Sequence, residues 1–267
     1  MSPPVAQTPV AECAAGDRRG PLDVLWTGGW DSTFIVLDAA LHDGREVRAH
    51  YVLDPQRPSA DRELRTMERI RAAVAGLSSA AGQRIGPLRI VPRAEIPPDD
   101  RVDGWARALS ARGHVAQQYA WLSRYAGAQG GRLALGIICR AGGLRDVIGP
   151  ELQAEDGTWR LRDDVSDDAF ELFRPFVFPT IELTKLDMRD LAEARGFRTL
   201  LDMTWFCHEP RRGGATCGLC PPCHDARHQG MAWRLTRGAR WRGRLVDAVP
   251  GGRLKRAARA LMRRLFR

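Results

Sequence analysis

The chain has 267 residues, 44% of them hydrophobic, so it can bury a sizeable core as one large domain or a domain with attachments. It contains no apolar run of the roughly 18 residues that a membrane-spanning helix needs. Its net charge of +9 sits at one end: residues 234–267 hold 12 arginines and lysines against the single acid Asp247, a net +11, which leaves −2 for residues 1–233. A near-neutral body argues against a fold that grips nucleic acid over its whole surface.

Residues 1–20 are rich in Pro and Ala and lack the basic and apolar regions of a secretory signal; they read as a flexible leader. LDVLW (22–26) reads as a short buried strand and STFIVLDAALH (32–42) as a helix. VRAHYVL (47–53) is a second strand. Residues 59–77 form a helix, with Ser59 or Asp61 available as cap and Leu64, Met67, Ile70 and Val74 on one face. LRIV (88–91) is a third strand, 114–129 a helix, and RLALGII (132–138) another buried strand. This alternation predicts an α/β fold with a parallel sheet covered on both faces. Residues 139–172 are polar, acidic and turn-rich, and read as an excursion over the sheet edge or a lid. In TKLDMRDLAEARGF (184–197), Thr184 caps a helix, Asp187 stands three residues on, and Gly196 ends it.

Between the first strand and its helix stands Thr27-Gly28-Gly29-Trp30-Asp31-Ser32-Thr33. Such a turn is an anion site, because the unpaired N–H groups of the helix start and its dipole favour negative charge. Gly28 and Gly29 permit positive φ and close approach to a phosphate. Thr27 and Ser32 offer hydroxyls. Asp31 suits backbone N–H groups or a phosphate-bound Mg²⁺. The turn is neither GxxxxGK[ST] nor GxGxxG, and the plain alternative is a tight βα turn capped by Asp or Ser. The end of the second strand, Tyr51–Asp54, is where an open sheet of this kind would receive a nucleoside, and Gly136 would let a backbone approach a ligand.

Four of the six cysteines crowd together as Cys207-x9-Cys217-x2-Cys220-x2-Cys223, while Cys13 and Cys139 stand apart. CxxC spacing favours a metal thiolate site over a disulfide framework and points to a reducing, cytoplasmic compartment. Structural Zn²⁺ is the leading reading, and an iron–sulfur cluster competes for the same ligands. His208 and His224 adjoin the cluster and could replace a sulfur; as plain surface residues they would be exposed and polar.

The glycine turn resembles the PP-loop of the N-type ATP pyrophosphatases, SGGxDS, with Thr27 in place of the first serine. That resemblance implies a Rossmann-like fold of the adenine-nucleotide alpha-hydrolase kind, with ATP and Mg²⁺ bound and AMP transferred to substrate. It places Trp26, Thr27, Gly28, Gly29, Trp30, Asp31, Ser32, Thr33 and Gly136 at the nucleotide. Joined to Trp205-Phe206-Cys207 and CGLCPPC (217–223), it is similar to the 7-cyano-7-deazaguanine synthase family, which binds one zinc through such cysteines. PTIELTKLDMRDLAEARGF resembles that family's Thr-Lys helix start, putting Lys185 beside Asp31 and Ser32 as a catalytic candidate. The family's Arg-Asn and Tyr-Pro-Asp-Cys elements are missing; HVAQQYAWLSR and ICRAGGLRD stand in their places. The adenylating machinery thus looks kept and the base pocket altered.

The resemblance implies ATP-dependent activation of a small-molecule or peptide carboxylate, followed by transfer of ammonia to give an amide or nitrile. His114 is a candidate proton acceptor, and a homodimer is a compatible assembly. The expected layout is a leader (1–20), a PP-loop ATP-binding domain (21–200), a four-cysteine zinc region (201–236) and a basic amphipathic tail (237–267). Two other readings stand beside it: a tRNA-thiolating PP-loop enzyme, and a non-enzymatic zinc ribbon that binds nucleic acid or protein. In the tail, Leu254, Ala258, Leu261, Leu265 and Phe266 share a face opposite Arg256, Arg259 and Arg263. It could dock on an anionic membrane, nucleic acid or an acidic partner, or pack on the domain with its basic face solvated.

Overall fold

A computed structural model describes residues 20–113 and 115–265. Most of the leader, Cys13, His114 and Phe266 lie outside the described residues. Seven strands form one sheet: β1 (Leu22–Leu25), β2 (Val47–Leu53), β3 (Arg89–Pro92), β4 (Leu133–Ala134), β5 (Leu152–Glu155), β6 (Thr158–Leu161) and β7 (Phe176–Val177). Their order is β3-β2-β1-β4-β7-β6-β5. The first five in that order are parallel, and β6 and β5 add an antiparallel edge.

Side-chain alternation along the strands separates two cores. In β1, Leu22 and Val24 face one core and Leu25 the other; in β4, Leu133 and Ala134 divide the same way. The first core is closed by α1 (Trp30–Leu37), α2 (Ala60–Leu77), α3 (Ser79–Arg84), α7 (Lys185–Ala194) and α8 (Arg198–Asp202). The second is closed by α4 (Asp100–Arg112), α5 (Gln118–Gly127) and α6 (Leu144–Ile148). On α2, Met67, Ile70 and Val74 are fully buried, as their spacing predicts. His50 of β2 is buried but satisfied, its two ring nitrogens 2.7 Å from the Tyr125 hydroxyl and 2.9 Å from Asp23.

The structure refines several of the expected elements. The segment 139–172, expected as an excursion over the sheet edge or a lid, carries β5 and β6, which form a hairpin through Asp156 (φ 48°) and Gly157 (φ 73°) and lengthen the sheet at its edge. An Asp-Gly pair with positive φ at both positions matches the twist of the strands it joins. The strand expected at 132–138 pairs regularly only at Leu133–Ala134, and α5 starts at Gln118 rather than 114. The expected boundaries near 200 and 236 do not separate cores. Cys207, Cys217, Leu219, Cys220 and Cys223 belong to the same apolar cluster as Trp26 and Phe34, and so do Ala239 and Val246 of α10 (Arg237–Asp247). Among the α-helices of the described residues, α11 (Gly252–Leu265) is the one with no buried residue.

Candidate active site and metal centre

Strands β2 and β4 flank β1 on opposite sides, so successive crossovers leave β1 in opposite directions. In an open α/β sheet, that switch point leaves a crevice at the carboxyl ends of the strands. The turn from β1 to α1 lies there. Gly28 has φ +67°, and a Cβ on it would come within 3.1 Å of the Glu63 carbonyl oxygen and 3.2 Å of Met67. Glycine is therefore required twice over at this position. Gly29 differs from expectation: it is the N-cap of α1 in extended conformation, and no side chain caps the helix. An uncapped start leaves the anion-binding capacity of the first turn open.

A cavity of about 170 Å³ opens at this turn, with Thr27, Gly29, Trp30 and Asp31 on one wall and Lys185 on another. Arg57, Glu63, Trp205, Phe206, His208 and Arg234 also face it. Lys185 is the first residue of α7. The capping box that starts this helix is complete: Thr184 Oγ1 accepts from the Asp187 N–H at 3.2 Å, and Asp187 accepts from the Thr184 N–H at 2.8 Å. The cap holds Lys185 Nζ 3.8 Å from Asp31 Oδ1.

Asp31 Oδ1 and Trp30 Nε1 are both buried without a hydrogen-bond partner. Both residues line the cavity, and the Lys185 ammonium is the charge that faces the Asp31 oxygen. Burial pushes the Asp31 carboxyl above its ordinary range, and the charges of Lys185 and Arg234 only partly offset this. Lys185 and Arg234 already supply positive charge to this carboxylate. Arg234 packs its guanidinium over the Trp30 ring at 4.8 Å and donates to Thr204; burial lowers its pKa to about 10.

The other residues expected at the nucleotide also brace the turn. Trp26 Nε1 donates to Thr33 Oγ1 at 2.8 Å, and both residues are completely buried, so this pair locks the strand to the helix. Ser32 Oγ turns back to the Thr27 N–H at 3.2 Å and lies 3.3 Å from Thr27 Oγ1, bracing the turn. The close approach at Gly136 is made by the turn itself: a Cβ there would sit 3.1 Å from Ser32 N. Tyr51 is buried and donates to Glu63 at 2.9 Å, while Asp54 pairs with Arg93, so neither side chain is open to a nucleoside.

Sequence reasoning missed Arg57, Glu63 and Arg234. Glu63 is 3% exposed and bound by Tyr51, Ser59 (2.7 Å) and Arg57 (2.9 Å). An acid one turn into α2 gave a signal, but its partners on β2 and the preceding loop did not. His208 is not a free surface residue: it lies in the cavity with Nε2 3.2 Å from Arg57, and burial lowers its pKa.

The cysteines converge as expected. Cys207, Cys217, Cys220 and Cys223 are buried, with their sulfurs within 4.8 Å of one another. The Cys217–Cys223 and Cys207–Cys220 separations are 3.8 and 3.9 Å. A tetrahedral ion with metal–sulfur bonds of about 2.3 Å requires about 3.8 Å between sulfurs, whereas a disulfide requires about 2.05 Å. Backbone N–H groups of Leu219 and Cys220 donate to Cys217 Sγ at 3.3 and 3.2 Å. Hydrogen bonds from the neighbouring thiols, then from the Leu219 N–H, hold Cys217 below the ordinary thiol range. Buried Arg242 donates to the Cys217 and Thr216 carbonyls at 2.9 and 3.2 Å, placing positive charge beside the thiolates. The four sulfurs could hold a metal such as zinc without help from a histidine; His224 instead faces His228 and Asp247.

The thiol cluster and the cavity share a wall. Trp205 and Phe206 precede Cys207, Pro222 lies between Cys220 and Cys223, and all three line the cavity. A larger cavity, about 410 Å³, lies at the far sheet edge around Trp159 and the Arg145–Glu182 ion pair, and contains none of the expected site residues. The architecture is thus a mostly parallel α/β sheet with a polar cavity at its switch point and a four-thiol centre beside it. Comparison of the chain with protein-family profiles, with curated proteins and with solved structures finds no match to any of them.

Proposed function

We propose that the chain is an ATP-dependent carbon–nitrogen ligase of the PP-loop kind, in which the cavity beneath α1 takes the polyphosphate of ATP and the four thiolates hold a structural zinc. One observation carries this reading: an uncapped helix start, an orphaned carboxylate oxygen on Asp31 and the ammonium of Lys185 all face one cavity at the sheet's switch point. At about 170 Å³, the cavity is smaller than the ~300–1,000 Å³ that enclose whole small ligands. It suits a pyrophosphate-sized group, with the nucleoside and acid lying towards the opening.

In this scheme a carboxylate oxygen of the substrate attacks the α-phosphorus, the α–β bond breaks, and pyrophosphate leaves. Ammonia then attacks the acyl carbon, AMP leaves with the bonding pair and the nitrogen gives one proton to water, leaving an amide; attack of the amide oxygen on a second ATP would release pyrophosphate, and departure of AMP with that oxygen and loss of the two N–H protons to water would give a nitrile. The α1 amides, Lys185, Arg57 and Arg234 hold the anionic end, and Asp31 would hold Mg²⁺, which supplies charge neutralisation. The absence of the family's Arg-Asn and Tyr-Pro-Asp-Cys elements leaves a deazaguanine acid as one candidate substrate among other carboxylates. The test is pyrophosphate release from Mg-ATP with a carboxylate library and ammonium. Release that is substrate-dependent and lost in Asp31→Ala supports the reading; full activity in Asp31→Ala overturns it.

The thiolation reading is less well supported, because all four clustered cysteines lie at mutual distances suited to one metal ion and none is left as a free sulfur carrier in the cluster. Thiol titration separates the two: four unreactive thiols and one zinc per chain favour the ligase.

A further inference from the structure

Helix α11 lies on the body in the opposite sense from a packed amphipathic helix. Its inner side is polar and charged: Lys255 Nζ reaches Asp247 at 3.4 Å and Arg263 reaches Glu209 at 2.9 Å, with Met262 alone packed against the core. Its leucines face outward. Leu254, Leu261 and Leu265 are 63%, 57% and 65% exposed, and spacings of seven and four residues put them on one stripe. Arg253, Arg256 and Arg264 are exposed on the same helix. Its neighbour α10 exposes Arg237 and Arg244, and at positions 241 and 245 a tryptophan and a leucine, 54% and 42% exposed.

We propose that α11 docks this protein on an anionic lipid surface, its leucine stripe entering the acyl boundary and its arginines meeting the headgroups. Charge complementarity decides the occupant. Residues 237–265 contain one acid, Asp247, and it is already engaged by Arg227 and Lys255. A second copy of the chain would press two cationic helices together, and nucleic acid would leave the leucines in water. An interface of anionic lipid satisfies both faces, as in other basic amphipathic helices that lie in the membrane plane. This inference stands independently of the ligase reading.

The experiment is flotation of the full chain with vesicles of phosphatidylcholine alone and of phosphatidylcholine mixed with phosphatidylglycerol. The protein should float with the anionic vesicles only, and less at high salt. The triple variant Leu254→Gln, Leu261→Gln, Leu265→Gln keeps the charge and should weaken vesicle binding at least about tenfold. The triple variant Arg253→Gln, Arg256→Gln, Arg264→Gln should also weaken it. Because the leucines are exposed, the first variant should keep the parent's thermal midpoint. Failure to float, or full binding by the leucine variant, overturns the proposal. So does a fall in its midpoint, or a dimer that dissociates in the leucine variant without any vesicle binding. Tighter binding of duplex nucleic acid than of anionic vesicles, unchanged in the leucine variant, overturns it as well.

Discussion

The Trp205 amide donates to the Gly28 carbonyl at 2.9 Å. One residue, Phe206, separates Trp205 from Cys207, and the Trp205 indole closes the gap by donating to the Cys207 carbonyl at 2.7 Å. The glycine turn and the thiol centre, far apart in sequence, are therefore one hydrogen-bonded unit.

Losing the metal should thus disturb the turn. Cys220→Ser is expected to remove bound zinc, measured by elemental analysis, and to abolish Mg-ATP binding measured by calorimetry. The stability loss should be several kcal/mol, since structural zinc contributes about 10–16 kcal/mol in small zinc domains and only part is recovered when the metal leaves. Unchanged ATP affinity in a metal-free protein would separate the two sites.

Lys185→Met should leave the fold intact, because the Thr184–Asp187 cap does not use the lysine side chain. Pyrophosphate release should fall by about 10²–10³, the usual cost of removing one preorganised charge-stabilising group. Lys185→Arg should recover part of it.

Asp31 gives a pH prediction. Its folded-state pKa is raised by burial, so the folded protein binds the proton more tightly than the unfolded chain does. Wild-type stability should therefore fall as pH rises from the ordinary carboxylate range through that raised value. Asp31→Asn removes the ionisation. It should melt at a higher temperature than wild type above this window and lose the advantage below it, while losing activity at every pH. Melting curves across the pH range, without Mg²⁺, check the sign.

Gly218 has φ +81°, and a Cβ there would lie 2.2 Å from the backbone oxygen of Ala239 in α10. Gly218→Ala must displace α10 or the loop between Cys217 and Cys220. A destabilisation of roughly 3 kcal/mol or more is expected from denaturant titration, with weaker zinc retention.

Much of this is readable along the chain, because local chemistry decides it. VRAHYVL pairs over residues 47–53 as its apolar pattern predicts, Thr184 and Asp187 form the capping box, and the cysteine spacing closes one centre. The features missed depend on distant partners. Arg234 reaches the cavity because the segment after α9 (Pro221–His228) carries it to Thr204, just beyond α8, and to Trp30 at the start of α1. Trp26 and Ser32 sit in the motif yet point into the scaffold, a distinction that spacing cannot make. The tail's periodicity fixes which residues share a face, but not which face meets the body; Asp247 and Glu209 decide that.

The four thiols are not an appendage; they fill space in the same interior as Trp26 and Phe34. Removing the ion would leave adjacent sulfurs repelling one another as thiolates, or reprotonating, in the middle of the packed body. Apolar surface would then become open to proteases, so loss of such an ion would shorten the protein's lifetime rather than leave an intact, metal-free fold. Abundance in the cell would follow metal supply.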